Sequence, residues 1–446
     1  MAPDMHTLAP ELLAKIFLHC IGDESRESTR CVKLAPLLLG RVCRTWRTIS
    51  VSSLDLWSRI VMVVPKEAMM ECKKEMLAAN VWISRSGSRP LSICIDYDWE
   101  CCCEEFPRLL KLVASHSSRW NDIKITIPAK FDSAILAGFR SRYLPQLEHF
   151  NINLFGDDDS EYVHPLALSS APRLQTFHHI SDFGGGRQID FSGQTHHVRK
   201  IEVVFDMGVY PEMAGMSLGD LFTCLTNCPL LKELYLPITK IWSNRPQETP
   251  SIIELSHLRA LGLNISPHID PGFLFDILFL PALISLTIWM EHYDDDYSDW
   301  PYLRSMLARS CPRLQDLDVG APMTEATLIE SLFYLPSLIS LRVSSVDFTD
   351  SILHSLTVDA NKSSRSMCPF LQTIDFGFGN FSPTTEAGFS TNAMIAMILS
   401  RRRSTESTSG KELEMVRGGL FEFDSILSNP DIAKCVGDGL KLGYEH

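Results

Sequence analysis

The sequence predicts an α/β fold: a short helical module followed by a solenoid of repeating units, with a parallel sheet on one face and helices on the other. Two observations predict it. Residues 8–60 hold two short apolar runs at helical spacing. Further on, one strand-like phrase recurs with its first apolar residue at positions 147, 174, 198, 231, 258, 283, 314, 338 and 371, which indicates stacked units.

The front module, residues 1–63, is predicted to contain two amphipathic helices. Pro10 suits the start of a helix, because the N–H that proline lacks would have no partner there. The first helical face consists of Leu12, Leu13, Ile16, Phe17 and Cys20. The second consists of Leu39, Val42, Cys43, Trp46 and Ile49. Two short helices cannot bury both faces on each other, so some apolar surface must contact a following domain or another protein.

In order and spacing this segment resembles an F-box, the module that docks substrate receptors onto the Skp-type adaptor of cullin-based ubiquitin ligases. The phrases that match best, in the fungal form, run from Leu8 to Phe17, from Val42 to Trp46 and from Leu56 to Ser58. The chain departs from the family at Ala9, where proline is usual, and in the polar insert Gly22 to Arg30.

The resemblance implies that a Skp-type adaptor, and through it a cullin, binds the front module. The adaptor-binding residues it implies are Leu8, Pro10, Glu11, Leu13, Ile16, Phe17, Leu39, Val42 and Trp46. The sequence leaves open which of these side chains face the adaptor and which face the core. The same two alternatives hold for Trp57.

Residues 64–87 are predicted to form a linking helix that holds the front module rigidly against the solenoid, residues 88–400. Within each repeat the apolar residues lie at i, i+3 and i+5, and the last two share one face of a strand because side chains alternate along it. Between copies, helix-sized stretches end in Cys228-Pro229 or Cys311-Pro312. Proline there ends the helix and directs the chain into the next strand.

The Cys-Pro-x-Leu phrase resembles the irregular leucine-rich repeats of F-box receptors, which implies a protein target held by the sheet or its loops. Residues between the two inward strand positions point to the open face of the sheet. The predicted target-binding residues are Lys124, Asn151, Glu202, Tyr235, Asp318, Arg342 and Asp375, with Gly262 and Thr287 in the same row. A merely solvated face is the alternative interpretation of this mixed row.

At the end of the chain, residues 401–410 are predicted to be a flexible loop, and residues 411–446 a C-terminal strand and capping helix. The strand is expected over Leu413 to Phe423 and the helix over Asp431 to Leu442, with Asn429 or Asp431 as its N-cap. Such an end is needed because each repeat leaves its apolar face open until a neighbour covers it.

Composition argues against several classes of protein. A formal net charge of -13 over 446 residues argues against nucleic acid and against anionic membranes as partners. Thirteen cysteines without a signal peptide predict reduced thiols and a cytoplasmic or nuclear protein. The apolar stretch from Phe273 to Met290 is nearly long enough to span a bilayer, but Asp276 and Pro281 interrupt it.

The sequence predicts no catalytic residue, metal site or cofactor. Gly184-Gly185-Gly186-Arg187 lacks the Lys-Ser or Lys-Thr of a phosphate loop. The cysteines at 101–103 and the histidine pairs at 178–179 and 196–197 lack metal-ligand spacing. The expected function is therefore a non-enzymatic one. The resemblance to the F-box implies that the protein is the substrate-recognition subunit of an SCF-type ubiquitin ligase. The alternative is a repeat scaffold that binds a partner without promoting ubiquitination.

Overall fold

A computed structural model describes residues 8–21, 28–63, 72–97, 105–141, 143–156, 164–181, 187–205, 215–240, 252–266, 269–290, 299–344, 346, 348–358, 366–377, 389–403, 411–418 and 423–443. The chain divides into two compact units, Met1–Ala214 and Gly215–His446, called unit 1 and unit 2 below. The boundary lies inside the predicted solenoid. Both units are α/β with parallel strands, so the predicted fold class is confirmed at this level.

Unit 1 places one main parallel sheet beside five α-helices. The helices are α1 (Pro10–His19), α2 (Arg44–Ser52), α3 (Cys72–Arg85), α4 (Phe106–Ser115) and α5 (Asp132–Ser141). The strands are β1 (Arg59–Val63), β2 (Leu91–Asp96), β3 (Trp120–Pro128), β4 (His149–Phe155), β5 (His164–Ala167), β6 (Thr176–Ser181), β7 (Arg187–Asp190) and β8 (Lys200–Phe205). The main sheet has the order β1-β2-β3-β4-β6-β8, and β5 pairs separately with β7.

Unit 2 has the same organisation. Its helices are α6 (Leu218–Asn227), α7 (Gly272–Phe275), α8 (Tyr302–Ser310), α9 (Glu325–Leu332), α10 (Asp350–Leu356), α11 (Thr391–Arg403), α12 (Phe423–Leu427) and α13 (Pro430–Gly437). Its strands are β9 (Met216–Ser217), β10 (Glu233–Lys240), β11 (Ile253–Glu254), β12 (Ala260–Ile265), β13 (Leu278–Phe279), β14 (Ser285–Met290), β15 (Asp316–Gly320), β16 (Ser340–Ser344), β17 (Thr373–Phe376), β18 (Met415–Gly418) and β19 (Lys441–Gly443). The main sheet runs β10-β12-β14-β15-β16-β17-β18-β19 with β9 beside β10, while β11 pairs with β13.

The repeated phrase forms the strands and the core of both units. All nine residues at the first apolar position are 0 % exposed, and none of those at i+3 and i+5 exceeds 4 %. Burial of a leucine side chain to this extent contributes about 2 kcal/mol, so the pattern accounts for much of the stability of each sheet. His179 is the polar exception at an i+5 position, and its ring centroid lies 5.7 Å from that of Phe205.

The layer that lies on the other face of the main sheet is not helical throughout. This corrects the prediction that helices form the whole of that layer. In unit 1, β5 and β7 form a small parallel sheet, and in unit 2, β11 and β13 do the same. The sequence explains the difference. Leu166 and Leu168 are buried at a spacing of two residues, as are Ile189 and Phe191. A two-residue period suits a strand and cannot form one side of a helix.

The second helix predicted in the front module is broken. Residues Leu39–Arg41 form a short 3-10 helix, and α2 begins only at Arg44. Cys43 lies between them in an extended conformation, and its sulfur accepts a hydrogen bond from the Trp46 N–H at 3.4 Å. The Cys43 side chain caps the start of α2 and so separates it from the preceding 3-10 helix. The apolar spacing of the sequence continues across this break and therefore did not reveal it.

The linking helix is observed as α3, Cys72–Arg85, and residues 64–71 of the predicted range lie outside the described residues. Its contacts with the front module are aromatic and ionic. The rings of Trp57 and Trp82 meet edge to face at 4.7 Å, and the Arg85 guanidinium lies 4.2 Å from the centre of the Trp57 ring. The Arg30 Nε also lies 2.7 Å from the buried Glu75 carboxylate. These contacts hold α3 against the front module.

Arginines cap the C-terminal ends of helices in both units. In unit 1, Arg119 donates to the carbonyl of Arg89 at 3.0 Å and to that of Ile83, near the end of α3, at 3.4 Å. In unit 2, Arg309 donates to the carbonyl of Phe275, the last residue of α7, at 2.6 Å. Helix C-termini leave carbonyls without partners inside the helix, and a guanidinium satisfies several at once.

Arg401 is the most buried arginine of this kind and corrects the predicted loop at 401–410. It lies in α11, is 3 % exposed, and donates to the carbonyls of Leu356, Met367 and Cys368 at 2.7, 2.9 and 3.0 Å. Residues 401–403 are therefore helical, whereas 404–410 lie outside the described residues.

Carboxylates join the starts of successive helices in unit 2. Glu325, the first residue of α9, accepts hydrogen bonds from the backbone N–H and hydroxyl of Thr349, which caps α10. Asp350, the first residue of α10, accepts the same pair of bonds from Ser390, just before α11. Each carboxylate is stabilised by the positive N-terminal end of its helix. Each also bonds to the start of the next helix, which fixes the spacing between neighbouring repeats.

Of the strand expected over Leu413 to Phe423, β18 forms Met415–Gly418, whereas residues 419–422 lie outside the described residues and Phe423 begins α12. The helix expected over Asp431 to Leu442 is shorter. It ends at Gly437, and a last strand, β19, pairs with β18. Gly439 turns the chain with a φ of +100°, a conformation that side chains disfavour. Of the two predicted N-caps, Asn429 is the one observed, and its side chain accepts from the backbone N–H groups of Asp431 and Ile432.

The free edge of β1 is occupied by Thr29, the last-but-one residue of the polar insert. Its backbone N–H donates to the Val61 carbonyl at 2.8 Å, and its hydroxyl accepts from the Val61 N–H at 2.6 Å. A single residue thus satisfies both backbone groups of Val61 at the open side of the sheet.

No helix among the described residues is both long and apolar enough to span a membrane. The stretch Phe273 to Met290, checked above for that reason, forms most of α7 together with β13 and β14.

Candidate interaction surfaces

The structure separates the predicted adaptor-binding residues into two groups. Pro10, Glu11, Ile16 and Val42 are exposed, Val42 by 57 %. Leu8 and Trp46 are half-buried. The buried residues are Leu13, Phe17 and Leu39. In this structure the buried group forms the interior of the front module and is not accessible to a partner.

The Trp46 side chain shows how the module divides its apolar residues. Its ring lies 4.8 Å from that of the buried Phe17, so α1 and α2 pack through these two side chains. Trp57 is buried, and its indole N–H donates to the Ser50 carbonyl at 2.8 Å. The core alternative therefore holds for Trp57, whereas Trp46 contacts the core and is partly accessible.

Exposed leucines enlarge the accessible apolar surface beyond the residues that the sequence indicated. Leu12 is 49 % exposed, and Leu18 and Leu38 are also exposed. Leu12 and Ile16 are four residues apart and share one side of α1. That spacing was visible in the sequence, but it did not show that this side of the helix, rather than the side with Leu13 and Phe17, faces outwards.

The front module is basic although the whole chain is acidic. Residues 1–63 contain eight lysines and arginines against six acidic residues, a net charge of +2, whereas the whole chain carries -13. Arg41 precedes the exposed Val42 directly, and the exposed Arg44 and Arg47 follow it within five residues. Accessible apolar side chains that lie close in sequence to exposed arginines favour a partner whose surface is apolar and acidic.

On the open face of the unit 1 sheet, the predicted residues lie in one row across neighbouring strands. Lys124 is opposite Asn151, and the row continues through His178 to Glu202. The His178 Nδ1 lies 3.5 Å from a Glu202 carboxylate oxygen, and the Lys200 Nζ lies 3.0 Å from the same oxygen. The prediction omitted His178 because its repeat is truncated. His178 nevertheless points to the same face of β6 as Ile180, two residues later, because side chains alternate along a strand.

The corresponding row of unit 2 joins Tyr235, Gly262, Thr287, Asp318, Arg342 and Asp375. Arg342 lies between two acids: its Nη2 is 3.3 Å from Asp375 and its Nη1 is 3.9 Å from Asp318. Asp375 is buried, so its carboxylate binds Arg342 and is poorly accessible to a protein target. Arg417, which the prediction missed, follows Asp375 in register on β18.

Two aromatic side chains of unit 2 lean over glycines on the next strand. Tyr235 lies over Gly262, since a Cβ on that glycine would collide with the ring. Trp289 lies over Gly320, where a Cβ would come within 3.0 Å of the indole Cε3. Glycine allows this close approach because it has no side chain. Trp289 lies two residues beyond Thr287 of the predicted row and was not among the predicted residues.

Three buried cysteines and one buried histidine have structural surroundings. Burial raises the pKa of the Cys224 and Cys228 thiols, and it raises the pKa of Cys368 to about 12, so these thiols stay protonated at neutral pH. His196 is buried between the Ala171 carbonyl and the Val198 N–H, at 3.0 and 3.1 Å. The residues at 101–103 and 184–186 lie outside the described residues.

Comparison with models of known protein families finds no match for this chain, and comparison with curated proteins finds none either.

Proposed function

We propose that this protein is the substrate-recognition subunit of an SCF-type ubiquitin ligase. In this proposal the front module acts as an F-box that docks a Skp-type adaptor, and through it a cullin. The strands form a leucine-rich-repeat solenoid whose open face holds a protein target. In this proposal the chain catalyses no covalent step. It raises the effective concentration of the target near a ubiquitin-loaded partner.

The observation that carries the proposal is the exposed apolar and basic surface of the front module. The F-box-like residues Pro10, Ile16 and Val42 are exposed, although a folded chain gains free energy by burying such groups. The module is anchored to α3 through Trp57 and Trp82, so a partner docked on it would be held firmly relative to unit 1.

Capture of a purified Skp-type adaptor by the full chain tests the adaptor half of the proposal. The double variant Ile16→Asp with Val42→Asp places two carboxylates on the proposed surface, and we expect adaptor capture to be lost while circular dichroism is unchanged. The matched control is Ile252→Asp with Val436→Asp, which alters the same residue types at exposed positions of unit 2. Retained capture by the first variant, or equal loss in both, would refute the assignment of this surface.

Ubiquitin transfer separates the proposal from the scaffold alternative. Target proteins identified by proximity labelling are added to the ligase assembled with the adaptor and cullin. We expect transfer to a bound target that stops when the Ile16→Asp, Val42→Asp variant replaces the natural chain. Adaptor and target binding without transfer would favour the scaffold.

A further inference from the structure

The front module contains an apolar cavity of about 240 Å³ beside the C-terminal end of α1. Its floor is formed by buried residues, namely Pro36, Leu56, Val61 and Trp82. Its mouth is formed by exposed or half-buried residues, among them Cys20, Ile21 and Leu34. This Trp82 cavity is therefore open to the surface, and a group from outside can reach its floor.

The polar side chains that line the Trp82 cavity already have partners within the chain. The Thr29 hydroxyl donates to the Val61 carbonyl at 2.7 Å and accepts from the Val61 N–H at 2.6 Å. The Ser28 Oγ accepts from the Arg30 N–H at 3.3 Å, and the half-buried Arg59 also interacts within the chain. An apolar guest suits such a cavity, because it leaves these bonds in place and gains free energy by leaving water.

The size of the Trp82 cavity sets the size of the guest. Protein interiors pack closely and hold few voids larger than a water molecule, so an apolar opening of this volume is unusual in a small module. A cavity of about 150 Å³ lined by apolar side chains is large enough to bind benzene. The Trp82 cavity can therefore hold one aromatic ring or one leucine-sized side chain.

The Trp82 cavity continues the exposed apolar side of α1. Leu12 and Ile16 lie four residues apart on that side, and Cys20 follows after four more. The Cys20 Sγ donates to the Ile16 carbonyl at 3.4 Å, and Cys20 is exposed and lines the cavity. A partner that lies along Leu12 and Ile16 therefore reaches the mouth of the cavity at the end of the helix.

We propose that the Trp82 cavity receives one large apolar side chain of the Skp-type adaptor. The inserted side chain would pack against Leu56 and Trp82 while the rest of the adaptor covers Leu12 and Ile16. A few side chains that fill pockets of the partner carry most of the binding energy of a protein interface. The inference rests on the proposed function, since it adds an anchor point to the adaptor surface.

Filling the Trp82 cavity from within tests the proposal on the full chain. Leu34→Trp adds an indole at the mouth, and we expect about tenfold weaker binding of a purified Skp-type adaptor in isothermal titration calorimetry. The melting temperature of the free variant should not fall, because the indole fills space that is empty in the natural chain. The matched control is Val32→Trp, at an exposed position outside the cavity, which should change adaptor binding by no more than about twofold.

Two results of this titration would overturn the proposal. Equal adaptor binding by the natural chain and Leu34→Trp would show that the cavity stays empty in the complex. Equal weakening by Val32→Trp would show that added bulk in this segment, and not the cavity, disturbs binding. If Leu34→Trp does not fold, Ile21→Phe takes its place with the same expected loss, because Ile21 also lines the mouth.

A small aromatic probe tests the guest directly. In fluorine NMR, 4-fluorobenzyl alcohol should bind saturably to the natural chain and to Val32→Trp but not to Leu34→Trp. A saturating amount of adaptor should displace the probe from the natural chain. A probe that does not bind, or that stays bound when the adaptor is added, would contradict the assignment of the cavity.

Adaptor binding by the natural chain separates this inference from the proposed function. If the natural chain and Leu34→Trp bind the adaptor equally, the Trp82 cavity is not part of the interface and the ligase proposal stands. If the natural chain binds no adaptor, the ligase proposal fails and the inference about the cavity fails with it.

Discussion

The front module and the strand repeats use apolar residues in opposite ways. In the repeats, every residue at the first apolar position is fully buried, because a neighbouring strand and the second layer cover it on all sides. In the front module, two short helices cover only one side of each other, and Leu12, Ile16 and Val42 stay exposed. The comparison teaches that apolar spacing identifies a helix or a strand, whereas the number of neighbouring elements decides whether the spaced residues are buried.

The largest expected effect comes from the same substitution made in both regions. Leu314→Ala, at a fully buried first repeat position, should lower the free energy of unfolding by about 3 kcal/mol through lost burial and a residual cavity. Leu12→Ala, on the exposed side of α1, should change it by no more than about 0.5 kcal/mol. Urea unfolding followed by circular dichroism measures both. Similar losses in the two variants would mean that the two regions do not differ as described.

Arginines sharpen the comparison with a second matched pair. Arg401→Ala should cost about 2 kcal/mol, because two buried carbonyls and one partly buried carbonyl lose their donor. Burial lowers the pKa of Arg401 to about 10, so the buried charge itself costs free energy and the net loss is smaller than three full bonds would give. Arg41→Ala, in the front module, should leave stability within about 0.5 kcal/mol. Thermal unfolding of both variants tests this difference, and an unchanged melting temperature for Arg401→Ala would contradict it.

The same exposed arginines should matter for binding. Arg41→Glu with Arg44→Glu reverses two charges beside Val42, and we expect about tenfold weaker binding of a Skp-type adaptor at low salt. The difference should shrink as salt rises, since exposed charges are screened. Isothermal titration calorimetry at two salt concentrations measures it. Arg259→Glu with Arg313→Glu is the control, because these arginines are exposed on unit 2; an equal loss there would point to net charge and not to this surface.

The smallest expected effect is a change in the pH dependence of stability at His196. Burial lowers the pKa of His196 in the folded chain, whereas in the unfolded chain the imidazole titrates near its ordinary value of 6.5. Its contribution is therefore fully present above pH 6.5 and is lost as pH falls from there towards the lowered value. Melting temperatures between pH 7.5 and pH 5 should decline less steeply in His196→Asn than in the natural chain. Parallel curves would show that His196 does not contribute.

The strands of the repeats could be predicted from the sequence because the pattern that defines each strand lies within a few consecutive residues. The leucines, phenylalanines and isoleucines at i+3 and i+5 alternate with polar residues, and this local rule fixes the strand and its inward face. The rows of outward residues follow from the same rule. The contact of Trp289 with Gly320 was not predicted because it depends on the register between two strands, β14 and β15, which the local pattern of either strand does not fix.

Predictions failed where a single side chain overrode a pattern. Cys43 caps α2 and divides the second helix of the front module, although the apolar spacing continues through it. Arg401 begins a polar stretch that was predicted to be a loop, but it is a buried residue of α11. Its side chain is held there by hydrogen bonds to the carbonyls of three other residues. Neither contact has a signature in the spacing of apolar residues, since both depend on hydrogen-bond partners.

The Thr29 contact with Val61 has a consequence for self-association. A parallel sheet that ends in an unpaired strand can recruit a strand from another molecule, which is how many soluble proteins begin to polymerise. With the amide and hydroxyl of one threonine already bonded at the middle of β1, an incoming strand would first have to displace that residue. Thr29 thus protects this border of the sheet against intermolecular growth.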